Sequence, residues 1–278
     1  MRFMSFTVDG RATYGRVMGG RVSDVGAEPD VPPDLRAALA AGALEVIAAR
    51  ASQEHELAAI SPLPVIPRPS KILCVGHNYE THRLETGRAK AQHPSIFTRF
   101  ADTLVGNGAS LLRPRISTMF DYEGELAVVI GEGGRNIAES DAMRHVAGFS
   151  CFNDASVRDW QWHTSQFTPG KNFPNTAALG PWLVTPQEIG DLGAMTLTTR
   201  LNGAVVQQAR LEEMIFPVSK IIAYVSVFTE LSPGDVIATG TPGGVGAKRE
   251  PPRWMAPGDV VEVEISEVGL LRNGICDA

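Results

Sequence analysis

A chain of 278 residues, 44% hydrophobic and 20% charged, is long enough to bury a full core without staples, as one large domain plus a small one or as two of medium size. Its 25 Lys and Arg against 31 Asp and Glu leave a net charge of −6 with no dense basic run, which speaks against nucleic acid as a partner. Three scattered cysteines without a Cys-x-x-Cys pair, no signal-like start and no apolar run of about 18 residues exclude a disulfide scaffold and a zinc knuckle, and predict a cytoplasmic protein with no membrane partner.

Residues 1 to about 25 alternate and turn at Asp9-Gly10 and Gly19-Gly20, predicting two or three short strands. From Pro33 to Ser52 the chain becomes rich in alanine and leucine with helical spacing, opening on proline as helices often do. Pro62, Pro64, Pro67 and Pro69 then make a stiff, extended stretch, the natural linker. The expected division is residues 1–68 as a small N-terminal α/β domain with its linker, and 69–278 as the main domain. Beyond the linker, residues 126–130 form a continuous apolar run suited to a strand buried on both faces. Helices are expected over 139–146 and 212–229. Asn202-Gly203 between two strand-like runs signals a hairpin, and Pro-Gly-Asp turns at 233–235 and 257–259 each lead into a strand, the second of which alternates. Many strands, few helices and no βαβ rhythm predict an α+β, mostly β fold.

The chemistry concentrates at Asp121-Tyr122-Glu123-Gly124-Glu125, just before the buried run. In a strand these three carboxylates share a face, and at ~4 Å two of them repel by about 4 kcal/mol at an effective dielectric of 20. One must protonate, turn to water or meet a cation. The glycine between them leaves room for something to approach the backbone. Asp154 follows 29 residues after Glu125. Glu123, Glu125 and Asp154 would make an all-oxygen site, suited to Mg²⁺, Mn²⁺ or Ca²⁺ and poorly to Zn²⁺. An acidic strand end exposed to solvent is the competing reading.

Three polar groups follow. If residues 155–161 make a helical turn, Arg158 and Gln161 share a face, and with Lys171 they could hold a substrate carboxylate or a developing negative charge. The alternative is that Arg158 pairs with Asp154 or Asp159 and Lys171 lies at the surface. Residues 239–246, Thr-Gly-Thr-Pro-Gly-Gly-Val-Gly, lack the ending of a phosphate-binding loop. Their amides and the Thr241 hydroxyl are expected to face a ligand, or the segment is a long turn. His82 and Glu85 are three residues apart in a polar segment ending at Gly87, so one helical turn would let the carboxylate hold the imidazole as a general base. A solvated His–Glu pair is the alternative. No Gly-x-Ser-x-Gly elbow points to a serine nucleophile.

The ordered set resembles the fumarylacetoacetate hydrolase family: Gly76-x-Asn78-Tyr79-x-x-His82-x-x-Glu85, Asp121-Tyr122-Glu123-Gly124-Glu125-Leu126, Asn153-Asp154-x-x-x-Arg158-Asp159-x-Gln161, Lys171, Leu179-Gly180-Pro181-Trp182, Asn202-Gly203 and Thr239-Gly240-Thr241-Pro242-x-Gly244-Val245-Gly246. It spans roughly residues 70–275 in order. The resemblance implies a catalytic domain on a rolled, mixed β-sheet, a small N-terminal domain and a homodimer. It implies Mg²⁺ or Mn²⁺ on Glu123, Glu125 and Asp154, with Ca²⁺ as a substitute, a His82–Glu85 dyad on a closing lid, and Lys171 stabilising an oxyanion or enolate. Arg158, Gln161 and Thr241 become substrate contacts. One stretch departs from the pattern: Phe173-Pro174-Asn175-Thr176-Ala177-Ala178 has proline where many members have aspartate, and alanine where they have proline before Leu179-Gly180-Pro181. The expected activity is hydrolysis of a carbon–carbon bond in an acylpyruvate or fumarylpyruvate-like 1,3-dioxo-acid, as in catabolism of aromatic compounds. Decarboxylation or isomerisation of an oxo-acid on the same scaffold is the alternative, and a metal-stabilised binding module without turnover is the third reading.

Overall fold

The computed structural model describes residues 1–50 and 52–278. The chain opens with strands β1 (Arg2–Val8), β2 (Arg11–Met18) and β3 (Arg21–Ser23), joined at the expected turns, where Asp9, Gly10, Gly19 and Gly20 take positive φ. The alanine-rich segment is two short helices, α1 (Leu35–Ala40) and α2 (Leu44–Ala48), because Gly42 takes φ +61° between them. The Asp34 side chain caps α1 by accepting from the Ala37 amide at 2.7 Å. In the proline-rich stretch, Ser61 and Pro62 pair with the edge of β1.

The remainder contributes β4 (Ile72–Gly76), α3 (Glu80–Glu85), β5 (Ser95–Arg99), β6 (Gly124–Ile130), β7 (Val146–Asn153), α4 (Arg158–Gln161), α5 (Thr168–Lys171) and β8 (Ala177–Val184). Then come β9 (Thr196–Leu201), β10 (Ala204–Arg210), α6 (Val218–Phe228), β11 (Val236–Ala238), β12 (Val260–Ile265) and β13 (Gly269–Asp277). The Asn202-Gly203 hairpin is present with both residues at positive φ, and the last Pro-Gly-Asp turn leads into a strand of alternating burial. Two helix expectations are corrected. Residues 139–146 hold only a 3-10 turn, Ala142–His145. The second helix starts at Val218, because Pro217 stands at its N-cap and a separate 3-10 turn, Leu211–Glu213, precedes it.

The mostly β fold rests on two sheets. The larger is mixed and runs from the short edge strand Glu54–Glu56 through β3-β2-β1-β8-β7-β6-β11-β4-β5 along its main path, with β4 and β11 parallel and the rest antiparallel. Because β1 pairs with β8, one sheet continues from the N-terminal strands into the segment after residue 69. The smaller sheet runs β10-β9-β12-β13 and ends on Leu111–Arg113. Strand β6 is the axis of the molecule. Leu126, Val128 and Ile130 point into a core shared with Leu197, Val261 and Val263 of the smaller sheet. Ala127 and Val129 point into the opposite core with Phe3, Tyr14 and Leu35. Burial on both faces explains why the run lacks alternation.

Candidate active site

The acidic motif is not one strand. Phe120 and Asp121 pair with Ser156 and Val157, the ladder breaks at Tyr122-Glu123, and β6 begins at Gly124. The glycine is dictated by packing: a Cβ there would lie 2.0 Å from Thr199 Oγ1 on β9. What approaches the backbone at this glycine is the second sheet. Antiparallel pairing sets Gly124 opposite Asn153 and Glu125 opposite Phe152. The Asp154 amide donates to the Glu123 carbonyl at 2.8 Å, and the Glu123 amide donates to Asn153 Oδ1 at 3.1 Å. Carboxylate oxygens of Glu123, Glu125 and Asp154 thereby fall within 4.8 Å of one another, all buried, which removes the exposed-strand-end reading.

Lys171, 1% exposed, is no surface lysine. Its Nζ donates to Glu123 Oε2 and Asp154 Oδ2, each at 2.7 Å, and to the Asp154 carbonyl at 2.9 Å. Arg158 is equally committed: Nε donates to Asp121 at 2.8 Å, Nη2 lies 2.6 Å from Glu123, and Nη1 donates to Gln161 Oε1 at 2.8 Å across the turn of α4. A third cation, Arg99 at the end of β5, binds Asp154 Oδ1 and reaches the Ala155 carbonyl at 3.0 Å and Thr176 Oγ1 at 2.9 Å.

Four buried carboxylates, Asp121, Glu123, Glu125 and Asp154, thus face three cations, Arg99, Arg158 and Lys171, a balance of −4 + 3 = −1. The deficit sits on Glu125, which accepts the Gly240 amide at 2.8 Å and has no ion-pair partner among the described residues. Burial, then Asp154 and Glu123, push its carboxyl well above the usual range. Burial pulls Glu123 the same way, but Lys171 and then Arg158 hold it well below its ordinary value. Burial works against the Lys171 ammonium too, and Asp154 and Glu123 keep it above its ordinary value. Three converging carboxylates, one without a counter-charge, fit a divalent cation of the Mg²⁺ or Mn²⁺ type.

Facing this floor is α3. His82 Nδ1 lies 2.7 Å from Glu85 Oε1, and Glu85 Oε2 accepts the Gly244 amide at 2.8 Å. The pair is not a solvated one, since His82 is 4% exposed. The segment before α3 is pinned by Asn78, whose side chain exchanges hydrogen bonds with Phe216 (2.8 and 3.0 Å) and donates to the Thr239 carbonyl at 2.7 Å. His77, at φ +55°, stacks on the His82 ring with centroids 5.2 Å apart and planes 12° from parallel. Burial, then His82, bring the His77 imidazole down to about 4, so it is neutral at pH 7.

The glycine-rich loop turns inward to the protein's own anions. The amides of Gly240, Gly244, Gly246 and Ala247 donate to Glu125, Glu85, Asp121 and again Asp121, so the expectation that they face a ligand is corrected. Buried carboxylates need donors, and this loop supplies them. Thr241 donates to the Gly124 carbonyl at 2.9 Å and accepts from Gln207 at 2.7 Å. A cavity of about 120 Å³ brings together Glu123, Glu125, His82, Lys171, Arg158, Gln161 and Thr241. Asp154 lies behind Lys171, outside the cavity lining. Residues that sequence reasoning passed over are Arg99, 55 positions from Asp154 and in no motif, His77, Gln207 and the cavity wall of Phe97 and Phe167. Residue spacing held no signal for any of these.

Comparison with known proteins is consistent across sequence and structure. The chain matches the fumarylacetoacetate hydrolase C-terminal family over residues 71–276. It is 40% identical to the mitochondrial oxaloacetate tautomerase of Xenopus laevis over 265 residues, covering 92% of this chain and 83% of that one. Among solved structures, a fumarylacetoacetate hydrolase from psychrophilic Exiguobacterium antarcticum is 32% identical with a TM-score of 0.90, each chain covered in full. A 2-hydroxyhepta-2,4-diene-1,7-dioate isomerase from Mycobacterium marinum is 30% identical with a TM-score of 0.80, covering 100% of this chain and 98% of that one. Among the described residues, no helix is long and apolar enough to cross a membrane. As the tautomerase relative is mitochondrial, a cytoplasmic location does not follow from the family.

Proposed function

The chain belongs to the fumarylacetoacetate hydrolase family, and from that premise we propose that it is a divalent-metal-dependent tautomerase of small 2-oxo-dicarboxylic acids of the oxaloacetate class. The observation that carries the reading is the buried His82, held by Glu85 behind it, on the same small cavity as the carboxylate floor. Similarity to a tautomerase over nearly the whole chain is what supports tautomerisation over the family's other reactions.

Glu123, Glu125 and Asp154 would hold Mg²⁺ or Mn²⁺, with Ca²⁺ as a substitute. When bound, the cation supplies Lewis-acid polarisation of the oxo group and neutralises the floor's excess charge. In the ketonising direction the enol oxygen releases its proton to water, while His82 delivers one to the neighbouring carbon and recovers it from water, so the proton count is unchanged. Glu85, itself fixed by the Gly244 amide, keeps the imidazole in one tautomer and absorbs the charge of the imidazolium. Lys171, whose three N–H donors all go to Glu123 and Asp154, acts on the negative charge that develops on oxygen through its positive potential. Gln161 and Thr241 contact the substrate, and Arg158, locked between Asp121, Glu123 and Gln161, sets positive potential beside it. The whole unit acts as a homodimer, and sedimentation of the purified protein tests that part of the reading.

The second reading is hydrolysis of an acylpyruvate or fumarylpyruvate-like dioxo-acid, supported by the same dyad, which could take a proton from water, and by the likeness to a fumarylacetoacetate hydrolase. One pair of assays separates the two. With Mg²⁺ present, the tautomerase accelerates loss of enol-oxaloacetate absorbance, and His82→Ala abolishes that acceleration. A hydrolase instead releases pyruvate from an acylpyruvate, with solvent oxygen-18 in the second acid. If only the latter occurs, hydrolysis takes first place.

A further inference from the structure

Four cations stand on the wall of the active-site cavity: Arg88, Arg158, Lys171 and Lys248. The inner two are spent on the protein's own anions, since Arg158 is bound to Asp121 and Glu123, and Lys171 to Glu123 and Asp154. The outer two differ. Arg88 and Lys248 are exposed, and among the described residues neither side chain has a carboxylate partner. The only acids on this cavity's wall are Glu123 and Glu125, both on the floor. Arg88 also borders an adjoining cavity whose wall carries no acidic residue, and whose other guanidinium, Arg83, is paired with Glu80 at 2.5 Å.

Both free cations are held by the elements that build the dyad. Arg88 follows the positive-φ Gly87 that ends the α3 turn, its amide donates to the Arg83 carbonyl at 3.0 Å, and its carbonyl accepts from the Arg83 guanidinium. Lys248 closes the 3-10 turn Gly246–Lys248, whose first amide is anchored on Asp121 at 2.8 Å, and its own amide donates to the Val245 carbonyl at 3.1 Å. Elsewhere the wall carries apolar Val75, Phe97, Phe167 and Val245. The cavity therefore has an acidic floor suited to a cation and an oxo-acid head, an apolar wall suited to carbon, and an unneutralised positive rim.

We propose that Arg88 and Lys248 form an anion-reading rim that binds the second carboxylate of a dicarboxylic substrate and so sets the enzyme's preference for 2-oxo-diacids over 2-oxo-monoacids. The proposal rests on the oxo-acid reading of the floor, but it makes a claim about binding that stands apart from which reaction follows. An ammonium and a guanidinium at a solvated rim give a charge-assisted contact that salt screens, so the preference weakens as ionic strength rises.

The test is calorimetric titration of Mg²⁺-loaded protein with 2-oxoglutarate and with 2-oxopentanoate, a pair of equal chain length that differs by the distal carboxylate. The wild type is expected to bind the diacid at least about tenfold more tightly. The double variant Arg88→Gln/Lys248→Gln should erase that gap while leaving the monoacid's Kd within about twofold, and each single variant should erase part of it. Equal affinity for the two acids in the wild type, or a parallel loss of both in the double variant, overturns the proposal. Melting curves of the variants confirm that exposed polar replacements leave the fold intact. Preference for the diacid without turnover of enol-oxaloacetate keeps the rim and removes the tautomerase reading. Turnover without that preference removes the rim alone.

Discussion

Glu125→Gln isolates the one floor carboxylate without a counter-ion. Its oxygens lie within 4.8 Å of oxygens on Glu123 and Asp154, and at that separation each unit of like charge repels by about 3.5 kcal/mol at an effective dielectric of 20. Lys171, Arg158 and Arg99 offset Glu123 and Asp154 but make no ion pair with Glu125. The folded-state pKa of Glu125 is raised, so without a cation the folded protein keeps a proton that the unfolded chain releases in the ordinary carboxylate range. Its contribution to stability is complete below the unfolded pKa and is lost as pH rises to the elevated folded value. The slope in that window is about 1.4 kcal/mol per pH unit, or roughly 3 °C or more in Tm for a chain of this size. Melting curves in excess chelator from pH 4 upward should show the wild type losing stability relative to Glu125→Gln, which carries no such proton. With Mg²⁺ at about 100 times its Kd the wild type should regain about 2.7 kcal/mol, and the variant, with two carboxylates left, markedly less. Parallel curves for the two proteins in chelator, or equal stabilisation by Mg²⁺, would refute the assignment of the floor as a cation site.

Three further outcomes are expected. His82→Ala should lower kcat by about 10²-fold or more while Mg²⁺ affinity stays within about twofold, because His82 is bonded to Glu85 and stands outside the floor. A kcat unchanged at saturating substrate would return the pair to a structural role. Lys171→Met should cut activity yet tighten Mg²⁺ binding, since it strips the ammonium from Glu123 and Asp154, and should cost the metal-free protein about 3–5 kcal/mol for carboxylates left unpaired. Calorimetry and urea unfolding measure both, and weaker Mg²⁺ binding would count against the charge balance. Gly246→Ala would place a Cβ 1.9 Å from the Arg253 carbonyl oxygen and 2.6 Å from Asp121 Oδ1, so unfolding in urea should show a loss of roughly 3 kcal/mol. Wild-type stability in that variant would mean the loop is far looser than this packing implies.

What the sequence by itself determined was local chemistry and local shape. Glu123, Glu125 and Asp154 were legible as a set because acids flanking a buried apolar run must be reconciled with burial. The His82–Glu85 contact followed from helical spacing, and the Asn202-Gly203 hairpin from the positive φ that its turn demands. Periodicity overextended two helices, since it measures a preference that Pro217 or a neighbouring strand can override. Only the tertiary structure decided where the charges go. Arg99 ends β5 and Asp154 follows β7, with β4, β11 and β6 between those strands in the sheet order, so their contact leaves no trace in residue spacing. The glycine-loop amides bind the protein's own carboxylates, and Gly124 is small because Thr199 crosses over it from the second sheet. Each of these contacts joins segments remote in sequence. Their cause is the burial of two sheet faces at once, which brings charged strand ends together and obliges every one of them to find a partner.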